Sequence, residues 1–191
     1  MPGIAGLVTA ASAAAFAALV GLLHVLRRDL APGQHFISEY AIGRGGWVMR
    51  LAFGCLTLAC ASCAVAVATP WAAVLFALCA FGAAGAGAFV TDPPGTPSRP
   101  WSPGALHLVF SALVIPAFPA AAIVAAAAGA ASPVGRAGAA LAWLAAASMA
   151  GFAAFATWPW LRFRPGLAQR TMVAAYCAFL LVAGLTATRP A

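Results

Sequence analysis

The chain has 191 residues, 64% of them hydrophobic and 7% charged, with a mean hydropathy of +0.99 and a net charge of +7. Soluble domains carry about 25% charged residues, so this chain has too few ionisable groups to cover a water-facing surface, and a separate soluble domain is excluded. Its positive charge comes from ten arginines without a lysine; these flank apolar stretches instead of sharing one folded surface, which argues against nucleic-acid binding.

A membrane-spanning helix needs about 20 mostly apolar residues. Six stretches meet that requirement, at about 4–26, 47–68, 71–90, 103–128, 137–158 and 167–187. The first ends at Arg27-Arg28, and no basic segment precedes it, which argues against a cleaved leader. RRDLAPGQHFISEYAIGRGG follows, polar and rich in turn residues. Its His35–Ile42 portion mixes polar and apolar side chains and is expected to lie as a short element in the headgroup layer. Thr69-Pro70 makes a tight turn between the second and third spans. The loop TDPPGTPSRPWSPG contains five prolines, so regular structure is not expected there. Ser102 and Pro103 read as an N-cap followed by proline at the first helical position of the fourth span, and Pro116 and Pro119 should bend that span. A small loop with Ser132, Pro133 and Arg136 leads to the fifth span; Arg162, Arg164 and Gly166 precede the sixth. The expected fold is all-α: a single integral membrane domain over residues 1–191, built as a six-transmembrane-helix bundle with a short polar or interfacial cap from the first and third loops.

Six spans place both termini on one side and the odd-numbered loops on the other. Eight arginines (27, 28, 44, 50, 99, 162, 164 and 170) fall on the odd-loop side and two (136 and 189) on the terminal side. The positive-inside rule then puts the odd loops in the cytoplasm. Trp47, Trp101, Trp158 and Trp160 would belt that interface, and Trp71 the opposite one. An Ala-, Gly-, Pro- and Arg-rich chain without lysine points to a GC-rich bacterial genome, hence to a bacterial cell membrane.

The acids Asp29, Glu39 and Asp92 and the histidines His24, His35 and His107 all belong to the odd-loop side. None lies mid-span, where proton relays and ion paths place their ionisable groups. His107 sits about one turn inside the fourth span. A helix N-terminus disfavours positive charge, which suits a base, a hydrogen-bond acceptor or a metal ligand. Asp92 is placed to approach it and fix its tautomer, or to close the hairpin between the third and fourth spans. His24 is either a headgroup-level side chain or a partner for Glu39, Asp92 or His107. Glu39, beside Tyr40, needs a partner, and Arg44 or Arg50 is expected to supply it in a latch that holds the first loop. His35 reads as a solvated loop residue.

Two histidines at helix ends do not make a convincing haem pair, and His24, His107, Asp92 and Glu39 lack diagnostic metal-ligand spacing. We expect no metal and no cofactor. Cys60 and Cys63 form a C-x-x-C within an apolar span, where cysteine behaves as a small apolar residue. Cys55, Cys79 and Cys177 also lie inside spans, so no disulfide framework is expected. Gly82, Gly85 and Gly87 suit close helix approach.

The blocks LHVLRRDLAPGQHFISEYAIGRGGWVMRLAF and TDPPGTPSRPWSPGALHLVFSAL resemble a bacterial six-span family, domain of unknown function 998. The matching positions are His24, Arg27, Asp29, Pro32, Ile37, Ser38, Tyr40, Gly43, Gly46, Trp47, Asp92, Gly104 and His107. The resemblance implies a six-helix integral membrane protein and carries no settled activity. Eukaryotic six-span proteins of the Frag1/DRAM/Sfk1 group look similar in size and layout and are linked to membrane-lipid handling, a fold-level analogy.

The leading expectation is a lipid or other amphiphile bound in a cytoplasm-facing pocket at headgroup depth, against His24, Arg27, Asp29, Glu39, Tyr40, Asp92 and His107. One alternative is an enzyme acting on a lipidic substrate, with His107 as base, Asp92 orienting it and His24 nearby. Another is a transporter or accessory subunit of a membrane complex. The bilayer is the expected partner, with no nucleic acid.

Overall fold

A computed structural model describes residues 2–97, 99–128, 133–157 and 164–187. Six α-helices account for most of them: α1 (Pro2–Leu26), α2 (Gly46–Ala66), α3 (Pro70–Ala88), α4 (Pro103–Ala128), α5 (Pro133–Thr157) and α6 (Pro165–Ala187). Each is long and apolar enough to cross a membrane. Trp158, Trp160, Arg162, Ser132 and Arg189, invoked above, lie outside the described residues.

Proline opens five of the six helices, at 2, 70, 103, 133 and 165. The first turn of a helix has no intrahelical partner for its N–H groups, so a residue without one loses nothing there. This rule carries α5 back to Pro133 and α6 to Pro165, a few residues earlier than hydropathy placed them. α2 starts differently. Gly43 and Gly45 adopt φ of +76° and +79°, a left-handed geometry that is costly for side chains. Gly46 then packs where an added Cβ would come within 2.7 Å of the Ala41 carbonyl carbon.

The helices are antiparallel neighbours in chain order, and α6 returns to pack on α1, closing a ring. α2 and α4 both reach α6 across the middle. α5 touches only its two chain neighbours to any extent and is the least buried helix. Gly6 and Gly184 face each other so closely that a Cβ on Gly6 would sit 2.6 Å from the Gly184 carbonyl, which puts the start of α1 and the end of α6 at one end of the bundle. The ends of α1, α3 and α5 and the starts of α2, α4 and α6 therefore share the other end. Near the terminal end the hydroxyls of Thr9 and Ser62 join α1 to α2 at 3.0 Å, while Trp71 at the start of α3 is 76% exposed. At the odd-loop end Trp47 and Trp101 are 68% and 84% exposed, the placement of an interfacial belt.

The main core stacks Phe76, Phe118, Tyr176 and Phe179 across α3, α4 and α6. Cys60, Cys63 and Cys79 fill gaps around them as free, buried thiols. α4 runs on through Pro116 and Pro119. Pro119 has no N–H to offer the Ile115 carbonyl four residues back, and the Tyr176 hydroxyl donates to that carbonyl instead at 2.7 Å. A helix on the far side of the ring thus repairs the defect the proline creates.

Candidate functional site

The odd-loop end is organised by a 3₁₀ turn, Ile37–Ala41, in the first loop. The short element expected over His35–Ile42 is this turn, and it packs into the bundle. Ile37 and Tyr40 are buried, Tyr40 completely, in a second core with Phe16, Leu23 and Met49. The turn is thus tucked between α1, α2 and α6. Burying a polar, irregular segment requires partners for its backbone groups, and α6 supplies them.

Arg170 is the hub. Its Nη1 donates to the carbonyls of Pro32 (2.6 Å), His35 (2.6 Å) and Gly166 (3.0 Å). Nη2 donates to the Tyr40 hydroxyl at 3.0 Å, and the guanidinium carbon stands 5.5 Å from the Tyr40 ring centroid. Nε donates to His24 Nε2 at 2.7 Å. Accepting from a guanidinium requires a lone pair on Nε2, so the hydrogen of the neutral ring is on Nδ1, which donates to the Val20 carbonyl at 2.6 Å. Neighbouring Gln169 accepts from the Ile37 N–H through Oε1 at 2.7 Å. Gly166 leaves room for this docking, since a Cβ there would meet the Pro32 and His35 carbonyls.

A second arginine braces the loop from α1. Arg27 holds Asp29 through Nε and Nη2 at 3.0 and 2.9 Å and donates from Nη1 to the Ile42 carbonyl at 2.8 Å. The hydrogen bond to Arg27 holds the Asp29 carboxyl below its ordinary value, and the same bond raises Arg27.

Three expected pairings are corrected. Glu39 does not take Arg44 or Arg50: its Oε2 accepts from His35 Nδ1 at 2.6 Å and its Oε1 from the Phe36 N–H at 3.1 Å. A residue at N3 reaches back to the start of its own helical turn more readily than across a loop, so His35 is a partner and not a solvated side chain. His24 meets Arg170 and Tyr40, its ring edge-on to Tyr40 at 5.3 Å between centroids, and not Glu39, Asp92 or His107. Asp92 does not orient His107. It accepts from the Ser102 hydroxyl at 3.0 Å, and that oxygen accepts in turn from the Ala105 N–H at 3.1 Å. The Ser102 N-cap of α4 is therefore present, and Asp92 supports it. The interfacial cap changes accordingly: α6 holds the first loop, and the third loop is pinned to α4.

His107 is 6% exposed. Its Nδ1 lies 2.9 Å from the carbonyls of both Ala86 and Phe89, at the end of α3 where carbonyls lack intrahelical partners. Both neighbours are acceptors, so Nδ1 carries the hydrogen and, in the neutral ring, the lone pair is on Nε2. Nε2 has no partner among the described residues.

His107 lines a cavity of about 90 Å³ roofed by Ile37 and Ser38, with Phe53 and Met49 on α2, Ala83 on α3, and Tyr176 on α6 among its walls. Ser111, one turn beyond His107, and Gln169 also face it. The cavity and the latch therefore share the 3₁₀ turn. Of the expected ligand-binding residues, His107 alone lines the cavity; His24, Arg27, Asp29, Glu39 and Tyr40 hold its roof, and Asp92 caps α4. Arg170 and Gln169 were not singled out by the sequence, where Arg170 counts merely as one more basic residue at a span boundary. Among the described residues no three His, Cys, Asp or Glu side chains group closely enough for a metal ion.

No curated protein and no solved structure matches the chain. A family model does, over residues 10–186, and it takes in all six helices, the latch and the cavity. This multi-pass membrane protein belongs to the family described as Protein of unknown function (DUF998).

Proposed function

We propose that the protein binds a small amphiphile in the cavity beneath the 3₁₀ turn, at headgroup depth on the cytoplasmic side of a bacterial cell membrane. The observation that carries this reading is a cavity walled mostly by apolar side chains, lined by the buried His107, whose Nε2 forms no hydrogen bond to the described residues. Ligand sites have this character: apolar walls with a few placed polar groups. The 90 Å³ of water-accessible space has room for more than one water-sized group, enough to admit one short chain. The arginines at the odd-loop end support the cytoplasmic assignment.

Native mass spectrometry of the protein released from lipid nanodiscs tests the reading. A retained small amphiphile is expected on the wild type, and its loss on a cavity-filling Val114→Phe variant that still folds. Retention by a correctly folded Val114→Phe protein would place the ligand elsewhere.

A second reading, an enzyme acting on a lipidic substrate, is favoured by one feature. The Ala86 and Phe89 carbonyls fix the His107 tautomer, the task that an acid performs in other histidine bases. Turnover of a bound amphiphile that His107→Gln abolishes, with ligand retention intact, would select this reading.

A further inference from the structure

We infer that the occupant of the cavity is an uncharged amphiphile with an alcohol-type head, one that both donates and accepts a hydrogen bond, and not a phosphate or carboxylate. This rests on the proposed binding role and narrows the ligand class.

The lining contains no Arg, Lys, Asp or Glu among the described residues. The guanidinium adjacent in sequence to Gln169 is Arg170, and its donors go to His24, Tyr40 and three carbonyls. Arg27 is likewise engaged, by Asp29 and the Ile42 carbonyl. An anion in this cavity would have no arginine or lysine beside it to offset its desolvation. With a neutral His107 ring it would also meet a lone pair on Nε2, which a group that only accepts cannot satisfy.

The polar atoms still without partners are of two kinds. His107 Nε2 is an acceptor. The Gln169 amide is a donor, because its oxygen is committed to the Ile37 N–H at 2.7 Å. Ser38 and Ser111 also line the cavity, and their hydroxyls form no hydrogen bond to any described residue. A hydroxyl head complements this set: its O–H donates to His107 Nε2, and its oxygen accepts from Gln169 or a serine. The apolar chain then lies along Phe53, Val114 and Met172. A bare alkane would leave the histidine and the amide unpaired.

The test titrates ¹⁵N-histidine-labelled protein in nanodiscs with 1-hexanol, hexane and hexyl phosphate, with His107 assigned through His107→Gln. Nitrogen shifts read hydrogen bonding at the unprotonated Nε2, and saturation gives affinity. The expected result is a saturable 1-hexanol response at His107 Nε2 and no comparable shift with hexane. Ser111→Ala should weaken hexanol about fivefold, the equivalent of about one hydrogen bond, and hexane by much less. Equal affinity for hexane and hexanol, or tighter binding of hexyl phosphate, overturns the alcohol assignment while leaving the cavity as a binding site. Failure of all three probes to saturate overturns the binding role as well.

Discussion

Arg170 Nε donates to His24 Nε2 at 2.7 Å, joining residues 146 apart in sequence. Around that bond the first loop, the end of α1 and the start of α6 become one unit. The guanidinium fork suits this task because its donors are planar and diverge, whereas an ammonium is a point charge. Arg170→Ala strands the Pro32 and His35 carbonyls of the first loop. With hydrogen bonds to charged groups worth about 1.5–3 kcal/mol each and not additive, we expect a loss of about 3 kcal/mol. Arg170→Lys should recover less than half of it. Hydrogen exchange over residues 27–45 is the direct measurement, and both variants should exchange faster there than in α3. Unchanged protection in Arg170→Ala would remove Arg170 as the hub.

Tyr176 tests the repaired proline defect. Tyr176→Phe keeps the stack on Phe118, whose centroid lies 4.1 Å away, and removes only the hydroxyl that serves the Ile115 carbonyl. A buried acceptor left unpaired costs about 1–3 kcal/mol. In Tyr176→Phe/Pro119→Ala the helix can serve that carbonyl itself through the restored N–H. The cost of removing the hydroxyl should therefore be smaller in the Pro119→Ala background than in the wild type, as read by reversible unfolding in mild detergent. Additive effects of the two substitutions would contradict this account.

The Arg27–Asp29 pair sets an acid limb for the latch. Its carboxyl is lowered in the folded protein by the bond to Arg27. Such a group contributes above its unfolded value, about 3.9, and the contribution is lost as pH falls through the lower folded value. Below about pH 4, protection of Ile42 and its neighbours, taken relative to the intrinsic exchange rate at each pH, should fall in the wild type. Asp29→Asn should be less protected at pH 7 and flatter across the acid range. The carboxyl is exposed, so the effect is small and salt-sensitive. Identical pH profiles for wild type and variant would assign the acid response to another group.

Close helix approach is testable at single glycines. A Cβ on Gly82 would stand 2.7 Å from Val114 Cγ2 and 2.8 Å from the Phe110 carbonyl, whereas a Cβ on Gly21 meets nothing within 4 Å. Gly82→Ala should destabilise by about 1–3 kcal/mol through forced separation of α3 and α4. Gly21→Ala should be neutral or slightly stabilising, as alanine is the better helix former. Thermal melting of the two variants under one condition compares them, and a tolerated Gly82→Ala would show that the α3–α4 contact is looser than described.

The buried cysteines give a last check. Cys60 and Cys63 are at most 1% exposed, so a small maleimide should modify them only after unfolding. Cys60→Ala/Cys63→Ala should bind the same amphiphile as the wild type. Loss of binding without loss of fold would mean that the C-x-x-C is more than packing.

The sequence by itself determined that six helices cross a membrane, because apolar length and scarce charge leave no other way to satisfy the backbone in lipid. It also determined that acids and imidazoles collect at one end, since an even number of spans fixes which loops share a side. Ser102 and Pro103 announced the start of α4 for the same local reason that capping is visible anywhere. Partner choice was decided by tertiary structure. Asp92 and His107 look paired in sequence, but Asp92 finds Ser102 and His107 finds the carbonyls ending α3. Arg170 looks like one more interfacial arginine until the ring closes and brings α6 beside α1. Hydropathy records where each span sits along the membrane normal and says little about rotation around it. That rotation turns Arg170 inward to the latch and places His107 on the cavity wall.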